Sequence, residues 1–236
     1  MQRYFGAVSH GVASLCEDDI FHLTRVMRAK PGTQIEVVSE GKVYLCETTS
    51  FSPLKIEVIQ ELQGNSELPS KVILVAALVK GEKMDLVLQK ATELGVSEIV
   101  LLETERTIVK IKDESKLERF RKILKEASEQ SKRTVIPTLN RVISINKLSE
   151  VNADVKMIAY ENEKGSTNSF NKLVNSVKTG QSVAIVIGPE GGFSENEVEQ
   201  ANKLGFTSVG LGKRILRAET AVFYTLSVIA NYLEGK

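Results

Sequence analysis

Two glycine-rich loops carry the residues of this sequence that are best suited to chemistry. The first, Gly188-Pro189-Glu190-Gly191-Gly192, follows the apolar run VAIVI, which predicts a strand buried on both faces. Open parallel sheets place their ligand crevice at the carboxyl ends of the strands, and glycines there let the backbone approach a ligand closely. A tight strand-to-helix connection would use the same glycines, so this loop alone leaves both interpretations open.

The second loop runs from Leu211 to Ala221 and leads into the apolar helix pattern AVFYTLSVIANYLE. It places three cations at the entrance of that helix: Lys213, Arg214 and Arg217. A cation near a helix N-terminus is unfavourable by roughly 0.3 to 1 kcal/mol, so helix stability does not explain Arg217. Arg217 is therefore the candidate catalytic cation. The alternative is an exposed arginine that pairs with Glu219 or Glu190.

Familiar nucleotide-binding motifs are absent from both loops. Gly210-Leu211-Gly212 continues without the third glycine of a dinucleotide fingerprint, and the sequence contains no GxxxxGKS or GxxxxGKT phosphate loop. No GxSxG elbow occurs and no histidine lies near the loops, which argues against a hydrolase. Apolar residues and backbone donors instead predict a slot for an adenine-containing ligand.

The elements around these loops change character along the chain. Residues 1–62 predict short β segments, with a Glu40-Gly41 turn inside the alternating stretch QIEVVSEGKVYLCET, and QGNSELPS is typical of a linker. After this linker, apolar runs alternate with helical patterns, and Ser194 with Glu197 fits a helix capping box. We therefore predict a β domain over 1–68 and an α/β domain with a mainly parallel sheet over 71–236.

Composition limits the class of protein. The 236 residues are 42% hydrophobic and 26% charged, which fits a soluble globular chain of one or two domains and not a disordered one. No apolar run reaches the roughly 18 residues of a membrane span, and two cysteines and two histidines favour neither a disulfide framework nor a metal site. We expect a cytoplasmic protein with no membrane partner. A net charge of +1 means that any nucleic-acid contact depends on where the cations lie.

Six segments together carry a resemblance to a known family. In chain order they are MQRYF, HLTRVMR, KGEKMDLVLQKATELGVSEI, ERFRKILKEASEQSKR, IGPEGGFSENEVE and LGKRILRAETA. They resemble the ribosomal RNA small subunit methyltransferase E family over essentially the whole chain. GPEGGFS and ILRAETA at this separation are more specific together than either is alone. Met27 and Ala218 depart slightly from the family pattern, and neither change removes a charged group.

The resemblance implies an N-terminal PUA-like β-barrel domain followed by a SPOUT α/β domain with a C-terminal trefoil knot. It also implies S-adenosyl-L-methionine as cofactor and a homodimer with the site near the subunit interface. Members of the family methylate N3 of a uridine in 16S ribosomal RNA of the assembled small subunit. Uracil N3 is a poor nucleophile until it loses its proton, so the site has to stabilise anionic uracil oxygens. Arg217 is the cation we assign to that task.

The same resemblance assigns the other site residues position by position. The cofactor-binding residues would be Gly188, Glu190, Gly191, Leu211, Gly212, Ile215, Leu216 and Ala218. The RNA motif of the small domain would be His22, Arg25 and Arg28, and the substrate side would carry Lys83, Arg106, Glu129 and Gln130. From its charge and position, Arg3 is a further candidate for phosphate contact.

Two other functions are compatible with the sequence. A SPOUT methyltransferase could act on another RNA atom, such as a ribose 2′-hydroxyl or a different base nitrogen. A non-catalytic RNA-binding ribosome-assembly protein could keep the pocket without using it. Nucleoside analysis of methylated RNA separates the first alternative from the main prediction, and cofactor binding separates the second.

Overall fold

The computed structural model describes residues 1–111, 113–163 and 167–235. The chain forms two compact units. The first comprises Met1–Glu67 with Ser128–Val135, and the second comprises Leu68–Ala127 with Ile136–Lys236. The sequence-based division places residues 128–135 in the second domain, whereas the structure groups Ser128–Val135 with the first compact unit. The reason is tertiary, because ion pairs tie this short stretch to residues that lie far away in the sequence.

Six strands build the first unit. They are β1 (Arg3–Phe5), β2 (Ala7–Ser9), β3 (Val12–Ser14), β4 (Gln34–Ser39), β5 (Lys42–Phe51) and β6 (Leu54–Leu62). Their order in the sheet is β1-β4-β5-β6-β3-β2, and only the β1–β4 pair is parallel. The predicted turn between β4 and β5 is confirmed, with positive φ angles of 51° at Glu40 and 77° at Gly41 that suit a tight hairpin.

A helical segment interrupts these strands, although the sequence predicts only β structure before residue 62. Helix α1 (Glu17–Phe21) runs directly into a π-helical turn over His22–Val26. Leu23 is 1% exposed and anchors the turn in the core of the first unit. A segment this short shows too little periodicity to be recognised as helix from the sequence, so tertiary packing decides its conformation.

Two partly buried carboxylates hold residues 128–135 in the first unit. Glu67 pairs with the buried Arg133 and also accepts the backbone N–H of Thr134 at 2.9 Å. Glu36 accepts from Arg3 Nε and from Lys132 Nζ, both at 2.8 Å. Burial alone would raise the pKa of each carboxyl group. Hydrogen bonds from Arg133 to Glu67, and from Lys132 and Arg3 to Glu36, outweigh burial and lower both pKa values.

The second unit alternates strands with helices. Its strands are β7 (Val72–Ala77), β8 (Glu98–Glu103), β9 (Thr138–Ser144), β10 (Val155–Ala159), β11 (Val183–Ile187) and β12 (Thr207–Val209). Its helices are α2 (Glu82–Glu93), α3 (Glu114–Gln130), α4 (Thr167–Ser176), α5 (Glu195–Lys203) and α6 (Ala218–Glu234), with a 3-10 segment over Ile145–Glu150. The strand order is β12-β10-β11-β7-β8-β9, and every pair is parallel, which confirms the predicted α/β fold.

Two hydrophobic clusters cover the two faces of this sheet. Along β7, Leu74 contributes to one cluster while Ile73 and Val75 contribute to the other. Every residue of β7 and β11 is buried, as expected for central strands covered on both faces. The edge strand β9 and helix α4 escape sequence prediction, since most of β9 is exposed and polar. Within the parts of the chain that the structure describes, no helix is long and apolar enough to cross a membrane.

Candidate active site

A cavity of about 280 Å³ opens at the carboxyl ends of β10, β11 and β12, which are neighbours in the sheet. Three chain segments line it. They are Ala159–Glu161, the loop Ile187–Phe193 after β11, in which Gly191 does not line the cavity, and Gly210–Ala218. Ala221 of α6 also lines the cavity. Open parallel sheets bind their ligands at this edge. The two loops singled out in the sequence therefore meet in one cavity.

Most of the predicted cofactor residues line this cavity. They are Gly188, Glu190, Leu211, Gly212, Ile215, Leu216 and Ala218, and Arg217 joins them. Gly191 does not line it. A Cβ atom on Gly191 would lie 3.2 Å from Arg106 Cβ, so this glycine admits the Arg106 side chain next to the loop. The absence of a side chain at Gly191 is explained by this close approach.

The first loop closes through a turn at Gly192. The Gly192 N–H donates to the Pro189 carbonyl at 2.9 Å, and Gly192 adopts a φ of +65° that L-residues rarely take. A Cβ atom there would lie 3.2 Å from Glu161 Oε2. The loop therefore needs glycine at this position for two reasons, which are backbone conformation and room for the Glu161 carboxylate.

The Glu197 carboxylate connects the first loop to a distant segment. The predicted capping box is confirmed, because Ser194 N–H donates to Glu197 Oε2 at 2.9 Å and Glu197 N–H donates to Ser194 Oγ at 3.3 Å. The other oxygen, Oε1, accepts the backbone N–H of Glu105 at 2.7 Å. Glu197 is only 6% exposed. One buried carboxylate thus fixes both the start of α5 and the chain after β8.

Arg106 completes this connection. Its Nη1 donates to the Gly191 carbonyl at 2.7 Å, and it follows directly after Glu105, which Glu197 holds. The structure therefore gives Arg106 a contact with the cavity loop. Its predicted contact with RNA stays a prediction.

Arg217 occupies the N-cap of α6, with φ −65° and ψ 156°. Its carbonyl accepts the N–H of Ala221 at 2.8 Å, while its side chain is exposed at the cavity. Among the described residues, the guanidinium of Arg217 has no ion-pair partner. The alternative interpretation, pairing with Glu190 or Glu219, is therefore wrong.

Lys83 lies near both of those carboxylates. Its Nζ is 3.5 Å from Glu190 Oε1 and 3.8 Å from Glu219 Oε2. Glu219 Oε2 is buried and makes no hydrogen bond within the described part of the chain. A lysine in the first turn of α2 thus lies within ion-pair distance of an acidic side chain from each loop and offsets part of their negative charge. The Arg217 side chain is exposed at the cavity.

The remaining predicted RNA residues lie in the first unit. His22 and Arg25 belong to the π-helical segment and Arg28 follows it, and His22 Nδ1 lies 2.9 Å from the Tyr4 hydroxyl. Burial, with the nearby charges of Asp19 and Glu129, raises the pKa of Tyr4, so its phenol stays neutral at physiological pH. Contact of these three residues with RNA remains a prediction.

Arg3, Glu129 and Gln130 differ from one another in accessibility. Arg3 is 8% exposed and its guanidinium is engaged by Glu36 and by the carbonyl of Arg133. Glu129 is 7% exposed and accepts the backbone N–H of Phe5 at 3.3 Å. Both therefore serve the packing of the first unit. Gln130 is exposed.

Sequence reasoning missed the segment after β10. Tyr160 and Glu161 line the cavity together with the two glycine-rich loops. A signal was available, because VKMIAY predicts a parallel strand and the residues after any such strand belong to the same edge of the sheet. The order of the strands, which places β10 between β11 and β12, is the information that the sequence lacks.

The architecture of the second unit indicates the class of protein. A parallel α/β unit with a cavity at three adjacent strand ends is typical of ligand-binding α/β domains, and many enzymes use this arrangement. Residues 66–230 match the family described as RNA methyltransferase domain, and residues 15–60 match the RNA methyltransferase PUA domain.

Similar proteins identify the family more closely. Ribosomal RNA small subunit methyltransferase E of Bacillus subtilis is 38% identical over 99% of this chain and 98% of its own length. A Legionella pneumophila methyltransferase solved with bound SAM is 30% identical with a TM-score of 0.86, and covers 98% of this chain and 97% of that one. The structure of a ribosomal RNA small subunit methyltransferase E from Neisseria gonorrhoeae bound to S-adenosyl methionine is 28% identical with a TM-score of 0.85. It covers 98% of this chain and 97% of that one. The chain belongs to the ribosomal RNA small subunit methyltransferase E family of RNA methyltransferases.

Proposed function

We propose that this protein transfers a methyl group from S-adenosyl-L-methionine to N3 of a specific uridine in 16S ribosomal RNA of the small ribosomal subunit. Membership of the family supports the coarser part, which is methyl transfer to ribosomal RNA with this cofactor. The observation that carries the finer part is Arg217, a cation without an ion-pair partner in the described structure that faces the cavity at the start of α6. A uridine-N3 methyltransferase needs such a group.

The residues that line the cavity fit S-adenosyl-L-methionine. Ile187 and Leu211 offer apolar contact for an adenine, and the backbone of the two loops offers hydrogen-bond donors and acceptors. Glu161 and Glu190 place carboxylates in the same cavity, where they favour a positively charged sulfonium. When bound, the cofactor supplies an electrophilic methyl group. The chemistry of the donor set therefore matches the three parts of the molecule: base, polar chain and cationic sulfur.

Arg217 has a defined task in this reaction. Uracil N3 carries a proton, and loss of that proton to solvent water places negative charge on the ring oxygens. A guanidinium presents several donors in a planar fork, which suits an oxygen of developing negative charge. Lys83 lies close to Glu190 and Glu219, and Arg217 forms no ion pair among the described residues. The base can thus be held in its reactive form.

Two further properties follow from membership of the family. We propose that the C-terminal part of the second unit is threaded as a SPOUT trefoil knot and that the protein acts as a homodimer with the site near the subunit interface. Membership of the family, whose members the sequence resemblance associates with such a knot, supports the first proposal. Light scattering during gel filtration tests the second. A ribosomal RNA substrate also supports a cytoplasmic location.

The decisive experiment identifies the product. The protein is incubated with methyl-labelled S-adenosyl-L-methionine and small ribosomal subunits that lack the modification, and the RNA is digested and analysed by mass spectrometry. Labelled 3-methyluridine is the expected result. A labelled ribose or another labelled base would contradict the choice of atom while keeping the cofactor. No label together with no cofactor binding by calorimetry would instead favour the non-catalytic RNA-binding alternative.

A further inference from the structure

Three large apolar side chains lie exposed on one short segment of the first unit. Phe21 is 63% exposed, Val26 is 59% exposed and Met27 is 51% exposed. A single exposed apolar residue is ordinary on a protein surface, but several together mark a place where something binds. Arg25 and Arg28 lie between and beside them and are exposed as well. We refer to these five side chains as the 21–28 face.

The π-helical turn brings the apolar members together. The Met27 N–H donates to the His22 carbonyl at 2.9 Å, a hydrogen bond that spans five residues. In an α-helix, residues five apart point about 140° away from each other, given 3.6 residues per turn. A π turn is wider, which reduces the angle between residues five apart, and Phe21, Val26 and Met27 are all exposed within this short stretch. Such turns occur often at functional sites.

The segment is anchored on its inner side and is not a frayed end. Leu23 is buried at 1% exposure, and His22 Nδ1 lies 2.9 Å from the hydroxyl of the buried Tyr4. The chain then leaves the helix through Arg28, whose φ of 51° is uncommon for a residue other than glycine. A firmly held backbone thus presents the exposed side chains. Their exposure is a fixed property of the fold.

The two arginines are available for an anionic ligand. Across the described residues, neither Arg25 nor Arg28 forms an ion pair, in contrast to Arg3, which is held by Glu36. A cation at the end of a helix stabilises the helix dipole, and this accounts for Arg25 without any ligand. It does not account for three exposed apolar side chains next to it. The combination calls for a ligand with both an apolar face and negative charge.

We propose that the 21–28 face binds an unpaired nucleotide of RNA, with the base stacked on Phe21 and the adjoining phosphates on Arg25 and Arg28. This inference rests on the proposed function for the identity of the polymer and adds which RNA feature the first unit recognises. Unpaired bases stack on aromatic side chains, whereas a duplex hides its base faces. A stable protein interface takes about 20 to 30 residues from each partner, far more than these five. A nucleotide matches their size and chemistry.

The test compares binding of the full-length protein to two labelled RNA probes, a twelve-nucleotide oligouridine and a duplex of the same length. Phe21→Ala is expected to weaken binding of the single strand by about 5- to 150-fold, the range for loss of one stacked base, and to leave the duplex unchanged. Phe21→Trp retains an aromatic face and is expected to restore binding. Because Phe21 is exposed, the variants fold normally, and circular dichroism verifies this.

Salt dependence separates the stacking residue from the phosphate contacts. Arg25→Ala is expected to reduce the slope of log affinity against log salt by about 0.7, the value for one phosphate contact on a single strand. Phe21→Ala is expected to leave that slope unchanged, since stacking releases no counterions. Equal slopes in all three proteins would contradict the assignment of Arg25 to a phosphate.

Several outcomes would overturn the proposal. Unaltered single-strand binding by Phe21→Ala, or an equal loss on the duplex, would exclude base stacking. A change from dimer to monomer in Phe21→Ala would make the face an interface between copies of the chain. Formation of 3-methyluridine with Phe21-independent RNA binding would refute this inference alone. Phe21-dependent RNA binding without cofactor binding or methylation would refute the proposed function alone.

Discussion

Replacement of Glu197 by glutamine tests whether one buried carboxylate joins the cavity loop to the chain after β8. Glu197 accepts the backbone N–H groups of Glu105 at 2.7 Å and of Ser194 at 2.9 Å, and it is 6% exposed. Glutamine has nearly the same shape but only one acceptor oxygen, so its amide group faces one of the two N–H donors. One hydrogen bond is lost outright, and the other loses its charge.

The expected size follows from these contacts. A hydrogen bond to a charged group contributes about 1.5–3 kcal/mol, and a neutral one contributes about 0.5–1.5 kcal/mol. Loss of one charged bond and weakening of the second give a decrease of about 2–4 kcal/mol in the free energy of unfolding. Because Arg106 adjoins Glu105 and donates to the Gly191 carbonyl, the cavity loop also loosens. We therefore expect weaker binding of S-adenosyl-L-methionine.

The assay uses urea unfolding and calorimetric titration of the cofactor, with two matched controls. Glu199→Gln removes an exposed carboxylate from the same helix and is expected to stay within about 0.5 kcal/mol of the parent protein. Ser194→Ala removes the other half of the capping box at about 1 kcal/mol and leaves the contact with Glu105 in place. If Glu197→Gln and Glu199→Gln have the same free energy of unfolding and the same cofactor affinity, the structural role assigned to Glu197 is refuted.

Three other perturbations have defined outcomes. Arg217→Ala is expected to lower kcat by about 10²- to 10³-fold in the methylation assay with little change in the calorimetric cofactor affinity, and unchanged kcat would make Arg217 structural. Gly192→Ala forces an L-residue into a φ of +65° and toward the Glu161 carboxylate, so urea unfolding is expected to show a loss of about 1–2 kcal/mol with weaker cofactor binding, whereas full stability would show that the turn adapts. The lowered pKa values of Glu36 and Glu67 mean that their stabilisation is complete above the unfolded value of about 4.3 and is lost as the pH falls through the lower folded values. The thermal stability of the protein is expected to decrease in that acidic window, and Glu67→Gln is expected to make the melting temperature depend less on pH. An unaltered pH profile in Glu67→Gln would contradict this prediction.

Local sequence determined much of the second unit. Buried parallel strands have short apolar sequences, so β7, β8, β10 and β11 could be predicted. The predicted parallel sheet is confirmed. The capping box of Ser194 and Glu197 is likewise a short-range pattern and is present. The two glycine-rich loops could be recognised as site loops because they follow such strands. These features depend on neighbours within one or two turns of the chain, which a sequence displays directly.

Tertiary structure alone decided how those pieces combine. Glu161 lines the cavity because β10 lies between β11 and β12 in the sheet. No local sequence pattern specifies the order of strands in a sheet. The second oxygen of Glu197 binds an N–H 92 residues away, and Glu67 holds Arg133 at a separation of 66 residues. The exposed face at Phe21 arises from a π turn whose inner residue, Leu23, is buried by the rest of the first unit. Such contacts exist only after the chain has folded back on itself, because their partners share no periodicity and no neighbouring position in the sequence.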